Sequence, residues 1–335
     1  MHMLHRRFGW TMVGLSLALH LFTVFCYSRQ PDPFAAFTVL PIWVWGGIGL
    51  ALCMVAFYFL RASLSLVMTA VWAVTLLVGA DEARVLSNFG KPAPHAGPAA
   101  PCEGIPVVRV ATLNCAVFRY GDPSTDIAAW KPDIVLLQDI YPHQVQRVAD
   151  TLYGGHGDYR AHITSKGGIG IVTRWKIRRE VRNPGMRSQQ LTIETPDGRS
   201  LEIVNVHLIT AATDLAFWHR HAWREHRVNR AIRLREISTI RQVLEQTTNF
   251  PNSPTLYGGD FNAGATDVVH RRMSADFVDA FAAAGTGWGN TYQRRFPILR
   301  IDHLYTTRHF TPVRCRAVTT RSSDHRMLVA DFLQR

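Results

Sequence analysis

Apolar residues crowd into the first eighty positions of the chain and then break into short, punctuated runs. Three long runs come first, at about 10–28, 39–58 and 64–80. Each approaches the ~20 residues that a helix needs to cross a bilayer. Arg29-Gln30-Pro31-Asp32-Pro33 ends the first run, and Arg61 separates the second from the third. Trp43, Trp45 and Tyr58 fall near run ends, where interfacial aromatics gather. A secretory signal peptide is the alternative for the first run. No small-residue cleavage pattern follows it, however, and two more runs do. The basic flanks Arg6, Arg7 and Arg61 predict a cytoplasmic N-terminus, with Asp81 and Glu82 on the far side. Three transmembrane helices in residues 1–85 then put everything after Ala80 outside the cytoplasm. Residues 86–106 are rich in Pro, Ala and Gly and read as a linker, leaving 107–335 as one folded domain.

Inside that domain a pattern recurs: a short apolar, β-rich run ends in a polar side chain. Val107–Leu113 ends at Asn114, Asp133–Leu137 at Gln138-Asp139, and Leu201–Val206, carrying Asn205, at His207. Thr255–Gly259 ends at Asp260 and Asn262, after a Gly258-Gly259 pair that lets the backbone turn. Ile298–Ile301 is predicted as a strand ending at Asp302-His303, and Ser323-Asp324-His325 precedes a strand at Met327–Phe332. Gly168–Thr173 is a further buried strand. Helical periodicity appears at Asp126–Trp130, Pro142–Leu152, Phe217–Gln246 and Asp276–Ala284. Strands alternating with helices, and hairpin-like pairs late in the chain, predict a layered α/β or α+β domain.

Charge sharpens the picture. The formal net charge is +12, of which residues 101–335 carry +9. A basic domain suits an anionic partner such as a phosphodiester, a nucleic acid or an acidic membrane face; a charge serving solubility alone is the plain alternative. Basic and aromatic residues interleave from Phe217 to Arg227, either as a solvated helix face with Trp packed inward or as a surface for anionic lipid. The five cysteines include no CxxC or Cys/His spacing, which argues against a zinc site or a disulfide framework and leaves only a Cys102–Cys115 bridge open.

The polar strand ends hold the candidate chemistry. Asp139, Asp260, Asp302 and Asp324 are carboxylates; Asn114, Asn205 and Asn262 are amides; His207 and His325 are imidazoles. Oxygen-rich sets without thiolates suit Mg²⁺ or Mn²⁺. Two histidines, one beside a carboxylate, can move protons or offset charge developing on a phosphoryl group. Metal-assisted hydrolysis of a phosphate ester is the reaction such a set serves.

In order, Thr112-Leu113-Asn114, Leu137-Gln138-Asp139, Asn205-Val206-His207-Leu208, Gly259-Asp260-Phe261-Asn262, Arg300-Ile301-Asp302-His303 and Ser323-Asp324-His325 resemble the motifs of the endonuclease/exonuclease/phosphatase superfamily, in a membrane-anchored bacterial-type form. The resemblance implies a DNase I-like four-layer α/β sandwich over residues 107–335, preceded by transmembrane helices. It implies a metal held by Asp139, Asn114 and Asp324, and catalytic roles for His325, Asp260, Asn262, His207, Asp302 and Asn205. In that scheme Asp260 orients the attacking water, Asn262 contacts phosphate, and Asp302 holds the second nitrogen of His325. His303 is read as a core histidine. The family usually has Glu where this chain has the shorter Asp139. The implied enzyme is a Mg²⁺- or Mn²⁺-dependent phosphodiesterase or nuclease of the inner cell membrane, acting on nucleic acid or phospholipid, with no obligate protein partner. A non-catalytic membrane module that keeps the fold and binds an anionic ligand is the alternative.

Overall fold

The computed structural model describes residues 2–85, 88, 107–164, 167–182, 185–211 and 216–335. All but one residue of the expected linker, and Cys102, lie outside them; Cys115 is a buried free thiol. The described residues form twelve strands: β1 (Val107–Asn114), β2 (Ile134–Gln138), β3 (Asp158–Thr164), β4 (Gly167–Thr173), β5 (Lys176–Arg182) and β6 (Ser188–Glu194) come first. β7 (Ser200–His207), β8 (Thr255–Asp260), β9 (Val278–Asp279), β10 (Asp302–Thr306), β11 (Phe310–Val318) and β12 (Met327–Gln334) follow. They form two six-stranded sheets, ordered β11-β12-β1-β2-β4-β3 and β5-β6-β7-β8-β10-β9.

Strand periodicity explains the layers. In β1 and β2, Val108, Val110, Ile134 and Leu136 point into the core between the sheets, where Leu191, Ile203, Leu256 and Leu304 meet them. The alternate residues Ala111, Leu113, Val135 and Leu137 point outward, against α5 (Ser124–Ala128) and α6 (Pro142–Tyr153). On the other sheet Val204, Val206 and Tyr257 face α7 (Arg220–Thr247) and α8 (Val268–Met273). Strands covered on both faces read as nearly continuous apolar runs, as these do. The result is the four-layer α/β sandwich expected from the motifs. One strand is corrected. Ile298–Ile301 lies outside regular strand, and β10 begins at Asp302 instead. Leu299 forms an isolated bridge with Tyr292, and the Ile301 carbonyl accepts from the Phe261 amide, so this stretch crosses the sheet end rather than extending it. The expected helix at Asp276–Ala284 is likewise shorter: β9 is followed by α9 (Ala280–Ala284), capped by Asp279, whose Oδ1 accepts from the amides of Phe281 and Ala282.

The N-terminal segment is helical. α1 (His2–Arg29) and α2 (Ile42–Leu60) are long and apolar enough to cross a membrane, and α3 (Ser63–Gly79) is a shorter apolar helix. The second apolar run was expected from residue 39, yet α2 starts at Ile42. The ring of Pro41 disfavours helix at Leu40, which is extended, and Phe37–Val39 form a separate 3-10 turn. Helices pack through small residues. A Cβ on Gly49 would lie 2.1 Å from the Trp72 ring, so only glycine admits that indole between α1 and α2.

The sandwich does not hang free of these helices. Arg230, fully buried on α7, reaches the carbonyls of Gln30 and Ala35 and the hydroxyl of Thr38. Arg300 donates to both oxygens of Asp81, in α4 (Asp81–Val85), at 2.7 and 3.1 Å, and to Asp279 at 2.8 Å. Glu82 accepts from Trp43 and from Asn290, each at 2.9 Å. Asp81 and Glu82 thus enter the domain rather than merely flanking a span.

Candidate active site

Strand directions bring the polar ends together. β7 and β8 are parallel, and their register sets His207 opposite Asp260. β10 runs antiparallel to β8, so the first residue of β10, Asp302, also faces Asp260. In the other sheet β1 and β2 are parallel and end level, Asn114 opposite Gln138. β12 is antiparallel to β1, so the turn that precedes it delivers Asp324 and His325 to the same rim. Of these ends, Asn114, His207, Asp260, Asp324 and His325 line one cleft of about 600 Å³, together with Asp139.

At its base lies a buried dyad. His325 Nδ1 donates to Asp302 Oδ2 at 2.8 Å. Ser323 fixes the turn, its hydroxyl accepting from the His325 amide at 3.0 Å and donating to the Asn114 carbonyl at 2.6 Å. Burial alone would lower the His325 pKa, but the charge and hydrogen bond of Asp302, helped by Asp260 and Asp324, raise it to about 9. At neutral pH the ring is therefore an imidazolium. Asp260 shows the opposite balance: burial and the neighbouring Asp302 raise its carboxyl above the usual range, against the pull of His325, His207 and Asn114. Asn114 Nδ2 donates to Asp260 Oδ2 at 3.0 Å, and the Asn262 amide to Asp260 Oδ1 at 2.9 Å.

Across the cleft, Asp139 Oδ1 lies 3.3 Å from His207 Nδ1, and His207 Nε2 lies 3.6 Å from Asp260 Oδ2. Burial opposes ionisation of Asp139, but the His207 hydrogen bond and the charges of His207 and Arg187 outweigh it and hold the carboxyl below its ordinary pKa. A Cβ on Gly167 would come within 2.8 Å of Asp139 Oδ1, so glycine leaves room for this carboxylate. Asp139 and Asn262 both have positive φ, at 45° and 49°. Such strain at strand ends is common where side chains are aimed into a site.

Asn262 lines the cleft, with its side-chain nitrogen bonded to the Leu208 carbonyl at 3.0 Å. Asn205 does not line it. Fully buried, it accepts from Gln138 Nε2 at 2.7 Å and donates to the carbonyls of Leu137 and Gly170 at 3.0 and 2.9 Å. It ties β7 to β2 and β4, between the sheets. His303 is a core residue, its ring between Asp279 and the Arg300 carbonyl. Arg187, His226, Tyr292 and Val39 are among the cleft residues that the sequence reading does not assign to the site. Arg187 Nη1 lies 3.3 Å from His207 Nδ1, and the Tyr292 ring lies 5.0 Å from that of His325. None ends an apolar run, so the pattern that found the others passes over them.

Among the described residues, Asp260, Asp302 and His325 form a group that could hold a metal ion, with one ligand atom from each within 4.8 Å of the others. The carboxylate oxygens of this group suit a hard divalent cation, but the His325 imidazolium has no lone pair to give, so the ionised Asp139 across the cleft is the other oxygen donor that such a cation would use. Asp302 Oδ1 is buried without a hydrogen-bond partner, and Asp260 and Asp302 crowd negative charge together. Carboxylates outnumber cations around the cleft, so a phosphate would be repelled there without a compensating cation.

The family model described as Endonuclease/Exonuclease/phosphatase family matches residues 111–325, which contain every residue expected in the site. No curated protein sequence matches the chain. Solved structures do. An endonuclease/exonuclease/phosphatase from Bacteroides vulgatus superposes with a TM-score of 0.55 at 17% identity, covering 69% of this chain and 100% of its own. A mannosyl-6-phosphatase from Bacteroides thetaiotaomicron gives 0.54 at 16% identity, over 68% of this chain and 99% of its own. The human Nocturnin catalytic domain with bound sulfate anion gives 0.53 at 18% identity, over 69% and 96%. At such identities the likeness speaks to the fold.

Proposed function

Since the chain belongs to the endonuclease/exonuclease/phosphatase family, whose members are generally hydrolytic on phosphate esters, we propose that it is a membrane-anchored, divalent-metal-dependent hydrolase of a phosphodiester bond. The observation that carries this reading is the meeting, in one cleft, of the Asp302–His325 dyad, Asp260 and the Asp139–His207 pair. Asp139, with Asn114 and Asp324 nearby on the rim, offers the ionised oxygen for Mg²⁺ or Mn²⁺. When bound, the ion would offset phosphate charge and polarise the phosphoryl group.

The chain's own residues supply the rest. Asp260, held by Asn114 and the Asn262 amide, orients a water and accepts its proton; its raised pKa makes it a stronger base than a free aspartate. The His325 imidazolium, kept charged by Asp302, offsets charge on the phosphoryl oxygens. His207 and Asn262 bind and orient the phosphate from the cleft wall. Asn205 acts through position, fixing the two sheets whose edges form the cleft.

In our reading α1, α2 and α3 all cross the inner membrane, with Arg6, Arg7 and Arg61 on the cytoplasmic side and the sandwich outside the cytoplasm. The apolar residues exposed along the helices, among them Leu21, Met54, Leu66 and Leu77, support immersion in lipid. The test uses the full chain in lipid nanodiscs, because the sandwich is tied to residues 30–82. A panel of DNA, RNA, phospholipid and a generic bis-aryl phosphodiester is offered with Mg²⁺, Mn²⁺ or EDTA. Turnover abolished by EDTA and by His325→Ala is expected. Binding of a panel member without turnover would identify a non-catalytic module instead.

A further inference from the structure

The cleft has a wall that the sandwich does not supply. Val39, from the segment between α1 and α2, lines it beside Leu299 and Ile301. That segment, residues 30–41, is clamped by buried Arg230 and by Gln30 Nε2, which donates to the Thr266 carbonyl at 2.7 Å. Its level relative to a bilayer follows from chain length. Val39 lies three residues before the start of α2 at Ile42, at most about 11 Å even if fully extended. The polar layer of a bilayer leaflet is roughly 5–8 Å deep. An aromatic cluster marks the same level: Phe37 stacks on Trp45 at 4.0 Å, and Phe34 packs edge-on against Trp223 of α7. Tryptophans concentrate at the headgroup layer. Just before α7, Trp218 is 81% exposed, and Arg220, Arg224 and Arg227 are exposed on the helix that follows.

Resting on the hydrolase reading above, we propose that residues 30–41 are the substrate-recognition wall of the cleft, and that the scissile phosphate belongs to an amphiphile seated in the bilayer. An apolar patch beside the phosphate site accepts the glyceride end of such a molecule, while the exposed arginines of α7 meet anionic headgroups. A nucleic acid would instead have to press its own phosphates within a headgroup's depth of the membrane.

The full chain is reconstituted in nanodiscs and offered a phospholipid in the disc, a water-soluble bis-aryl phosphodiester, and DNA. Expected is a kcat/KM for the phospholipid at least about tenfold above that for the soluble diester. Val39→Asp lowers that ratio about tenfold. Trp218→Ser, a surface change that leaves the fold intact, lowers phospholipid turnover several-fold and leaves bis-aryl turnover unchanged. Equal efficiency on the two diesters, preference for DNA, or indifference of the ratio to both substitutions overturns the substrate assignment while the hydrolase stands. Absence of turnover on all three, in protein that unfolds cooperatively, overturns the hydrolase reading and this inference with it.

Discussion

Asp302→Asn isolates the electrostatics of the dyad. The substitution keeps the shape of the side chain and removes the charge that acts first in raising the pKa of His325 from 6.5 to about 9. That rise corresponds to ~3 kcal/mol between the two protonation states. Without Asp302, burial works against the imidazolium and only Asp260 and Asp324 favour it, so the ring is expected to titrate near or below 6.5. At pH 8 a ring titrating near 9 is about nine-tenths charged and one near 6.5 only ~3% charged, a loss of roughly thirtyfold in the reactive form. The sign for stability follows. A pKa raised in the folded state contributes stability that is complete below about 6.5 and is lost as pH rises through about 9. In the variant that dependence disappears. The assays are an NMR titration of the His325 ring in metal-free protein and a pH–rate profile with metal present. An unchanged midpoint in the variant, or a native midpoint near 6.5, would refute the reasoning.

Two further substitutions test structural ties. Asn205→Ala removes one of the two acceptors of Gln138 Nε2, Thr112 Oγ1 being the other, and the amide that the carbonyls of Leu137 and Gly170 accept from, at a cost of about 3 kcal/mol. Thermal unfolding should show a fall in Tm of roughly 6–12 °C with kcat changed far less than by His325→Ala; a kcat loss as deep as that variant's would put Asn205 in the chemistry. Asp81→Asn removes one of the two carboxylates on buried Arg300 and is expected to cost about 3–5 kcal/mol, read by unfolding in detergent. A change below about 1 kcal/mol would mean that this pair does not hold the sandwich to the helices.

The doubly covered central strands were legible because their apolar runs are continuous and stop at polar residues, and those stops are the cleft. Edge and outer strands were not. β5 reads Lys-Ile-Arg-Arg-Glu-Val-Arg, with one residue buried, and carries too little apolar signal to stand out from a charged loop. β10 was misplaced because Ile298, Leu299 and Ile301 look like a strand, whereas Leu299 and Ile301 line the cleft and the Leu299 backbone makes only an isolated bridge with Tyr292. Asn205 sits in the same motif as His207 and, two residues before it, on the same face of β7, yet it lies further from the strand end, between the sheets, where its neighbours absorb its hydrogen bonds. Periodicity reports that a position is buried; it does not say whether the atoms beyond it are another sheet or a substrate.

The same limit applies where helices and sandwich meet. A Pro/Ala/Gly-rich stretch reads as a tether, and a tether implies a domain indifferent to its anchor. Arg230 and Arg300 contradict that indifference. Both guanidinium groups are buried, and both have partners before residue 86. A buried cation stripped of its acceptors costs several kcal/mol, a large part of the stability of any single domain. Arg300 stands two residues before Asp302, so its pairing with Asp81 also sets the backbone from which the dyad is hung. The N-terminal helices are thereby coupled to the cleft end of the sheet, and a chain cut after them is expected to lose positioning at Asp302.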